Sequence, residues 1–320
     1  MTGRRVPQPI RDQVIDFVDV LSKKTEIPIE RFIGWLGISK GKFFQWRLRY
    51  GKVNAHNAHI PRHFWLNDWE RDAIVVFHQK NPLEGYRRLT FMMLDQDVVA
   101  VSPASVYRIL RERNLLDRHS QGTSKKGSGF VQPTAIHQHW HTDVTYINIA
   151  GTFYYLCAVL DGYSRVIIHW EIRERMQTKD IETIIQRAKE LSPDAHPRII
   201  SDNGPQFISS DFKAYIRLAS MTHVLTSPFY PQSNGKIEAW HKTLKKTTIR
   251  PKCPRTLEEA RFVVGEFVSY YNNYRLHSAL GYVTPADKFA GREEQIWATR
   301  RAKIKQARQQ RCEASRVDRV

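Results

Sequence analysis

Past residue 135 the hydrophobic period of this chain changes from helical to alternating, and that change leaves few architectures open. Three runs alternate in quick succession, "HWHTDVTYINI" (139–149), "FYYLCAVLD" (153–161) and "RVIIHWEI" (165–172), with turns at Gly151 and Gly162. Alternation of period two marks strands, and consecutive strands joined by short glycine turns form an antiparallel meander. The period then becomes helical in "TKDIETIIQRAKEL", which Thr178 is expected to cap. Two short apolar runs follow, "RIISD" and "THVLT" (222–226), separated by a helix starting at Ser210 or Asp211 and followed by a loop and helix, "SPFYPQSNGKIEAWHKTLKKTT". The order β-β-β-α-β-α-β-α predicts an α/β fold, a mixed sheet with helices on both faces. In such a sheet the first strand is central and the strand after the first helix lies beside it.

The first 117 residues read as helices in two groups of three. "DQVIDFVDVLSKK" is followed by "PIERFIGWLG", opened by Pro28 and closed by Gly37, and by "SKGKFFQWRLRYGK" behind a Ser39 cap. A short helix, a glycine-containing turn and a basic aromatic helix make a helix-turn-helix pattern, with Lys40, Lys42, Gln45, Arg47 and Arg49 as the groove-facing candidates. The plainer reading is a small three-helix core with a basic exterior. A second copy runs through "WERDAIVVFHQK", "GYRRLTFMMLDQ" and "PASVYRILRERNLL", the last capped by Ser102 and carrying Arg108, Arg111 and Arg113. The expected divisions are 1–54 and 64–117 for the helix-turn-helix domains, a linker at 118–132, an α/β core at 133–290 and a basic tail at 291–320. The linker contains "RHSQGTSKKGSGF", rich in Gly, Ser and Lys and without apolar periodicity. The histidines of "HNAHIPRH" (56–63) lack nearby cysteines and read as polar linker.

Charge narrows the partners. Fifty Lys and Arg face 32 Asp and Glu, a formal +18, and the excess is concentrated at the ends: +9 over 1–130, +3 over 131–250 and +6 over 251–320. Basic flanks bind polyanions by counterion release. No apolar run is long enough to span a bilayer, no basic amphipathic anchor stands out and no secretion signal precedes the first helix, so nucleic acid is favoured over membrane. Three scattered cysteines fit a reducing, cytoplasmic setting. The last thirty residues hold nine basic and four acidic side chains and read either as a basic helix or tail that orders on nucleic acid or as a solvated end.

Three carboxylates stand in unusual places. Asp202 ends the apolar strand of "RIISDNGPQF" just before Asn203-Gly204-Pro205, a place that suits a turn aspartate or a charge held into a cleft. Asp143 lies inside the first strand, where alternation groups it with His137, His139 and His141 and puts Trp140, Thr142, Val144 and Tyr146 on the opposite face. A solvated face is the expectation for those histidines. Sheet order makes Asp143 and Asp202 neighbours. Glu238 opens the helix after "PQSNG", for which Ser233 or Asn234 can serve as cap, and Lys242 and Lys245 share its face at i+4 and i+7. A surface ion pair with Lys242 would account for Glu238 alone, but not for the other two. Three converging carboxylates repel unless cations bind, and oxygen-only ligands select Mg²⁺ or Mn²⁺. Two such ions suit in-line phosphoryl transfer. No Ser-His-Asp set, Walker loop or dinucleotide fingerprint offers a rival chemistry.

With "HTDVTYI", "SDNGPQF" and "YPQSNGKIEAWHKTLK" in this order, and 35 residues between Asp202 and Glu238, the stretch from about 135 to 290 resembles the catalytic core shared by retroviral integrases and bacterial insertion-sequence transposases. "YYNNYRLHSALGYVTPADKF" (270–289) resembles the transposases' C-terminal core motif, and the upstream helices resemble their end-recognition region. The resemblance implies an RNase H-like core and an Asp-Asp-Glu triad at Asp143, Asp202 and Glu238, holding two Mg²⁺ or Mn²⁺ ions, with Asp143 bridging them. It further implies that Asn203 and Gly204 shape the floor, that Lys242 and Lys245 grip a DNA end, and that Tyr230 and Gln232 touch DNA from the loop. Tyr271, Asn272 and Arg275 are expected to be structural. Implied partners are double-stranded DNA, as element terminal repeats and as target, and at least one further protomer; the implied setting is the bacterial cytoplasm at the nucleoid. The resemblance departs from retroviral integrases in lacking their His-His-Cys-Cys zinc domain. The rival reading is a catalytically silent DNA-binding regulator derived from a transposase.

Overall fold

The computed structural model describes residues 6–52, 66–116, 131–226 and 234–317. Tyr230, Gln232, the histidine run at 56–63 and nearly all of the proposed linker lie outside them. The chain divides into two compact units, Met1–Trp65 with Ala314–Val320, and Leu66–Glu313.

In the first unit, helices α1 (Gln8–Thr25), α2 (Ile29–Trp35) and α3 (Lys40–Leu48) enclose Ile15, Val18, Phe32, Ile33, Ile38 and Phe43. Pro28 and Ser39 occupy the N-cap positions of α2 and α3, and Gly37 takes a positive φ of 64° between the helices. Arg11, buried on α1, closes the trio by donating to the carbonyls of Arg49 (2.7 Å) and Lys52 (2.8 Å). Backbone groups past a helix end need partners, and this guanidinium supplies them.

The second unit begins with α4 (Asp68–Lys80), α5 (Tyr86–Asp95) and α6 (Pro103–Glu112), packed around Ile74, Leu89, Met93, Val106, Ile109 and Leu110. Ser102 caps α6 by accepting from Ser105 N, with Pro103 at the first helical position. Next come β1 (His139–Ile149), β2 (Thr152–Asp161), β3 (Ile167–Arg173), α7 (Thr178–Glu190), β4 (Arg198–Ser201), α8 (Pro205–Ile208), α9 (Ser210–Leu218) and β5 (Thr222–Leu225). The chain ends in α10 (Gly235–Leu244), a π-helical turn (Lys245–Ile249), α11 (Arg250–Lys252), α12 (Leu257–Asn273), α13 (Pro285–Phe289) and α14 (Glu293–Val317). α7 is capped by Gln177, which forms a capping box with Asp180, one residue before the expected Thr178.

The sheet order is β3-β2-β1-β4-β5, with β1 antiparallel to β2 and parallel to β4. This mixed sheet is RNase H-like. Alternation sends Trp140, Cys157 and Val159 to α7 and α9, where they meet Ile181, Ile184, Ile185, Phe212 and Ile216. The other face carries Ile147, Leu156, Ala158 and Leu160 to Ile237, Trp240 and Leu244 of α10 and to Val264, Phe267 and Tyr271 of α12. Asn272 clamps β3 from α12, donating to Ile167 O and accepting from Ile167 N, both at 3.0 Å.

One sequence expectation fails here. The histidine face of β1 is not solvated: His139 is 9% exposed and His141 0%. Gly162, in the turn after β2, sits so close that a Cβ there would lie 3.0 Å from His141 Nε2 and 3.1 Å from His139 Cβ. Its N–H donates to His139 O at 2.7 Å. Burial, reinforced by the charges of Lys236 and Arg165, pushes His141 down to about 3, so it is neutral.

Candidate active site

β4 pairs with β1 only along His139–His141, so β1 continues beyond its neighbour with one edge open. Asp143 lies on that extension, 17% exposed. Its Oδ1 accepts from Val144 N (2.9 Å) and its Oδ2 lies 3.4 Å from His241 Nδ1. Asp202 is the first residue past β4, and its Oδ1 accepts from Gly204 N at 3.0 Å. The bond is a turn aspartate's, and the chain still delivers the carboxylate to the end of the strand beside β1. A Cβ on Gly204 would come 3.1 Å from that same oxygen, so glycine suits the approach. Asn203 Nδ2 donates to Thr226 O (3.0 Å) and ties the end of β4 to the end of β5.

Glu238 is in the first turn of α10. Asn234 holds the N-cap position there but does not cap with its side chain: its Nδ2 donates to Thr142 O at 3.3 Å. That bond fastens the start of α10 to β1 next to Asp143. Ser233, the other expected cap, lies outside the described residues. Among the described residues Glu238 has no ion pair, so the surface pair with Lys242 does not form.

The three carboxylates share one field. The Asp202 carboxyl is raised by burial and by the charge of Asp143, against the opposing bond from Gly204 N. Glu238 is raised by lost solvent and by Asp143 and Asp202, with His241 working the other way. Burial lowers Lys245, and Asp143 partly restores it. A cleft of about 380 Å³ opens at two of these carboxylates: Asp143, Glu238 and His241 face Lys242, Lys245, Lys246 and Arg250 across it, while Asp202 is not part of its lining. Lys245 is anchored by donating to Thr145 Oγ1 at 2.6 Å. Arg250 lies twelve residues past Glu238, off its face in a regular helix; the wide π-helical turn returns it to the cleft. A negative floor and a basic wall suit a phosphodiester whose charge is bound on one side and whose reacting oxygens face the carboxylates.

The donor chemistry of Asp143, Asp202 and Glu238 is that of a hard-cation site, and Asp202 and Glu238 are raised first by lost solvent and then by neighbouring carboxylate charge. Among the described residues no group of three or more His, Cys, Asp or Glu side chains closes to metal-binding distance. Mutual repulsion opposes a tighter cluster.

The other expected contacts divide. On α3, Lys40 pairs with Glu30 (3.1 Å) and Arg47 with Asp19 (3.3 Å), so both turn toward neighbouring helices. Lys42, Gln45 and Arg49 follow i, i+3, i+7 spacing and form a separate stripe, with Lys42 over the Trp46 ring. On α6, Arg108 and Arg111 are exposed, and Arg108 folds back onto Ala104 O. His241, Lys246, Arg250 and Asn234 do not stand out as site residues in the sequence. His241 alone has a legible signal there, one helical turn after Glu238.

The sheet order and this cleft are similar to those of an integrase-like core. Two descriptions of the Integrase core domain match, over residues 133–231 and 219–285. The chain is similar to several insertion-sequence transposases. It is 26% identical over 231 residues to the transposase for insertion sequence element IS904 of Lactococcus lactis, covering 67% of this chain and 90% of that protein. It is 27% identical over 237 residues to transposase InsD of insertion element IS2 from Escherichia coli, covering 68% and 78%. Among solved structures it is similar to the simian T-cell lymphotropic virus intasome (TM-score 0.45, 16% identity, 68% of this chain and 74% of that one). It is also similar to the catalytic core of BIV integrase (TM-score 0.39, 20% identity, 50% and 99%).

Proposed function

We propose that this protein is a DNA transposase that binds the terminal repeats of its element, cleaves at the ends and joins the freed 3′ hydroxyl to DNA. The observation that carries the reading is the electrostatic coupling of Asp143, Asp202 and Glu238 beside a basic wall, inside an integrase core. Those three side chains would hold Mg²⁺ or Mn²⁺, two ions per site. Bound there, the ions supply Lewis-acid stabilisation of phosphoryl charge and an activated oxygen nucleophile. Lys242, Lys245, Lys246 and Arg250 bind the phosphates flanking the scissile bond, and Asn203 and Gly204 set the position of Asp202. Tyr230 and Gln232 contribute from the loop before α10. Lys42, Gln45 and Arg49 on α3, and Arg108 and Arg111 on α6, contact the repeats, with Lys40 and Arg47 available once their ion pairs open. Joining two ends needs at least two protomers on the DNA. No described helix is long and apolar enough to cross a membrane, and the working site is the bacterial nucleoid.

The test uses duplexes from the DNA flanking the protein's own coding region, with Mg²⁺. Nicks at one position that join to new DNA, and that vanish in Asp202→Asn, support the reading. Tight specific binding with no cutting by either protein would leave a DNA-binding regulator.

A further inference from the structure

The basic C-terminal segment spends its inward charges inside the protein. On α14, Arg300 and Lys303 are one turn apart and Arg311 lies eleven residues beyond Arg300, about three turns, so the three form one stripe. Each meets an acid of the α4–α6 trio. Arg300 forks onto Asp95, Nε to Oδ1 at 2.8 Å and Nη2 to Oδ2 at 2.6 Å. Lys303 Nζ reaches Asp97 (2.7 Å) and Leu94 O (2.8 Å). Arg311 grips Glu70 through Nη2 (2.7 Å) and Nε (3.0 Å) and also donates to Ala100 O (2.7 Å). The last pair is nearly sealed from water, with side chains 6% and 4% exposed.

The start of α14 is fixed elsewhere, on the C-terminal segment of the α/β core. Trp297 Nε1 donates to Gly281 O at 3.0 Å. Gly281 has φ 71°, and a Cβ there would lie 2.6 Å from the Trp297 ring, so only glycine permits this seat. The same core segment holds the trio directly. Arg88 Nε donates to Leu276 O (2.8 Å), Arg275 reaches Glu84 (3.6 Å), and Phe91 stacks on Tyr282 with centroids 4.7 Å apart. By contrast Arg301, Lys305 and Arg308 point outward and are exposed.

We infer that α14 is a strap that locks the α4–α6 trio at one position relative to the carboxylate cleft, and that this lock sets where along bound DNA the cut falls. DNA held on α6 then presents one phosphodiester to Asp143, Asp202 and Glu238, because the spacing between recognition helix and cleft is built in protein. Arg300, Asp95, Arg311 and Glu70 are positioning residues: they touch neither DNA nor the reacting atoms. The role in cut position rests on the transposase reading; the lock itself does not.

The full-length protein is tested in two ways, as wild type, as Arg300→Met/Arg311→Met, and as the milder Asp95→Asn in case the first variant folds poorly. An outward control carries Arg301→Ala/Lys305→Ala/Arg308→Ala. Calorimetric melting is expected to uncouple the trio from the core in the strap variants, adding a transition absent from wild type and from the control. On flanking duplex in Mg²⁺, wild type and control are expected to nick at one position, and the strap variants over neighbouring phosphodiesters with total nicking and DNA affinity unchanged. Strap variants that melt as wild type does overturn the lock. Variants that melt separately yet keep a single nick position overturn its role in placing the cut. A wild type that never nicks sinks the transposase reading and the cut-placing role with it, while melting still decides the lock.

Discussion

Arg311→Met isolates the energetics of the strap. The substitution keeps roughly the volume of the stem and removes the hydrogen bonds to Glu70 and to Ala100 O. Glu70 then stays buried as a carboxylate that still accepts from Asn67 N, at 2.8 Å, in the capping box of α4. Breaking a buried pair by removing one partner costs about 3–5 kcal/mol, because the charge left behind is desolvated without its counter-charge. Adding Glu70→Met removes that stranded charge, so the double variant recovers part of the loss. It still forfeits the bond to Asn67 N at the cap, worth about 1 kcal/mol. Coupling between the two sites is therefore expected to be about 2 kcal/mol or more, against the few tenths seen for independent positions. Urea unfolding of the four proteins of the cycle, followed by far-ultraviolet circular dichroism, measures it. A cost for Arg311→Met below about 1 kcal/mol, the range of an exposed ion pair, would refute the buried-pair reasoning.

Three further outcomes follow from the geometry. Gly162→Ala forces a Cβ to within 3.0–3.1 Å of His141 and His139, and is expected to cost about 1–3 kcal/mol by overpacking, read as a lower urea midpoint. His277 is pushed down to about 4 by burial and by Arg165, Arg275 and Arg88. Between that value and the unfolded value near 6.5 the unfolded chain binds the extra proton, so stability falls as pH drops; the loss from pH 7 to 5 is up to about 2 kcal/mol. Buried His141 adds to the slope in the same sense, whereas the raised Asp202 stabilises the fold at low pH and loses that contribution as pH climbs through its folded value. The His277 share is therefore read as the difference in slope between wild type and His277→Asn, and equal slopes would discard it. Replacing Arg301, Lys305 and Arg308 together with Ala is expected to flatten the salt dependence of duplex binding, by about 0.9 for each phosphate these side chains no longer neutralise, without changing where the DNA is nicked. An unchanged salt slope would make the outer stripe a merely solvated face.

Much of the core is legible in the sequence because strand alternation and turn glycines are local signals. "HWHTDVTYINI" and its two successors dictate the meander, and sheet order then brings Asp202 beside the strand of Asp143. What alternation cannot say is what covers a face. His139 and His141 read as solvated, yet both are buried with Gly162, not predictable as a lid, packed closely against them. Asn234 reads as a helix cap by residue type, yet its amide serves Thr142 O across the fold. Arg250 escapes sequence reasoning because a π-helical turn shifts the phase on which helical faces are counted. The basic C-terminal stretch shows the same limit for charge: composition counts Arg300, Lys303 and Arg311 as available to a polyanion, while Asp95, Asp97 and Glu70, some two hundred residues earlier, already neutralise them.

Asp143, Asp202 and Glu238 are proposed together to hold the divalent metal used in cutting DNA. The most direct measurement is nicking of flanking duplex by wild type and by Asp143→Asn, Asp202→Asn and Glu238→Gln, each with Mg²⁺, with Mn²⁺ and with chelator. Nicking that needs either metal, stops with chelator and disappears in all three variants while duplex affinity holds is the predicted result. Nicking without divalent metal, or at wild-type rate in any one of the three, would contradict the account.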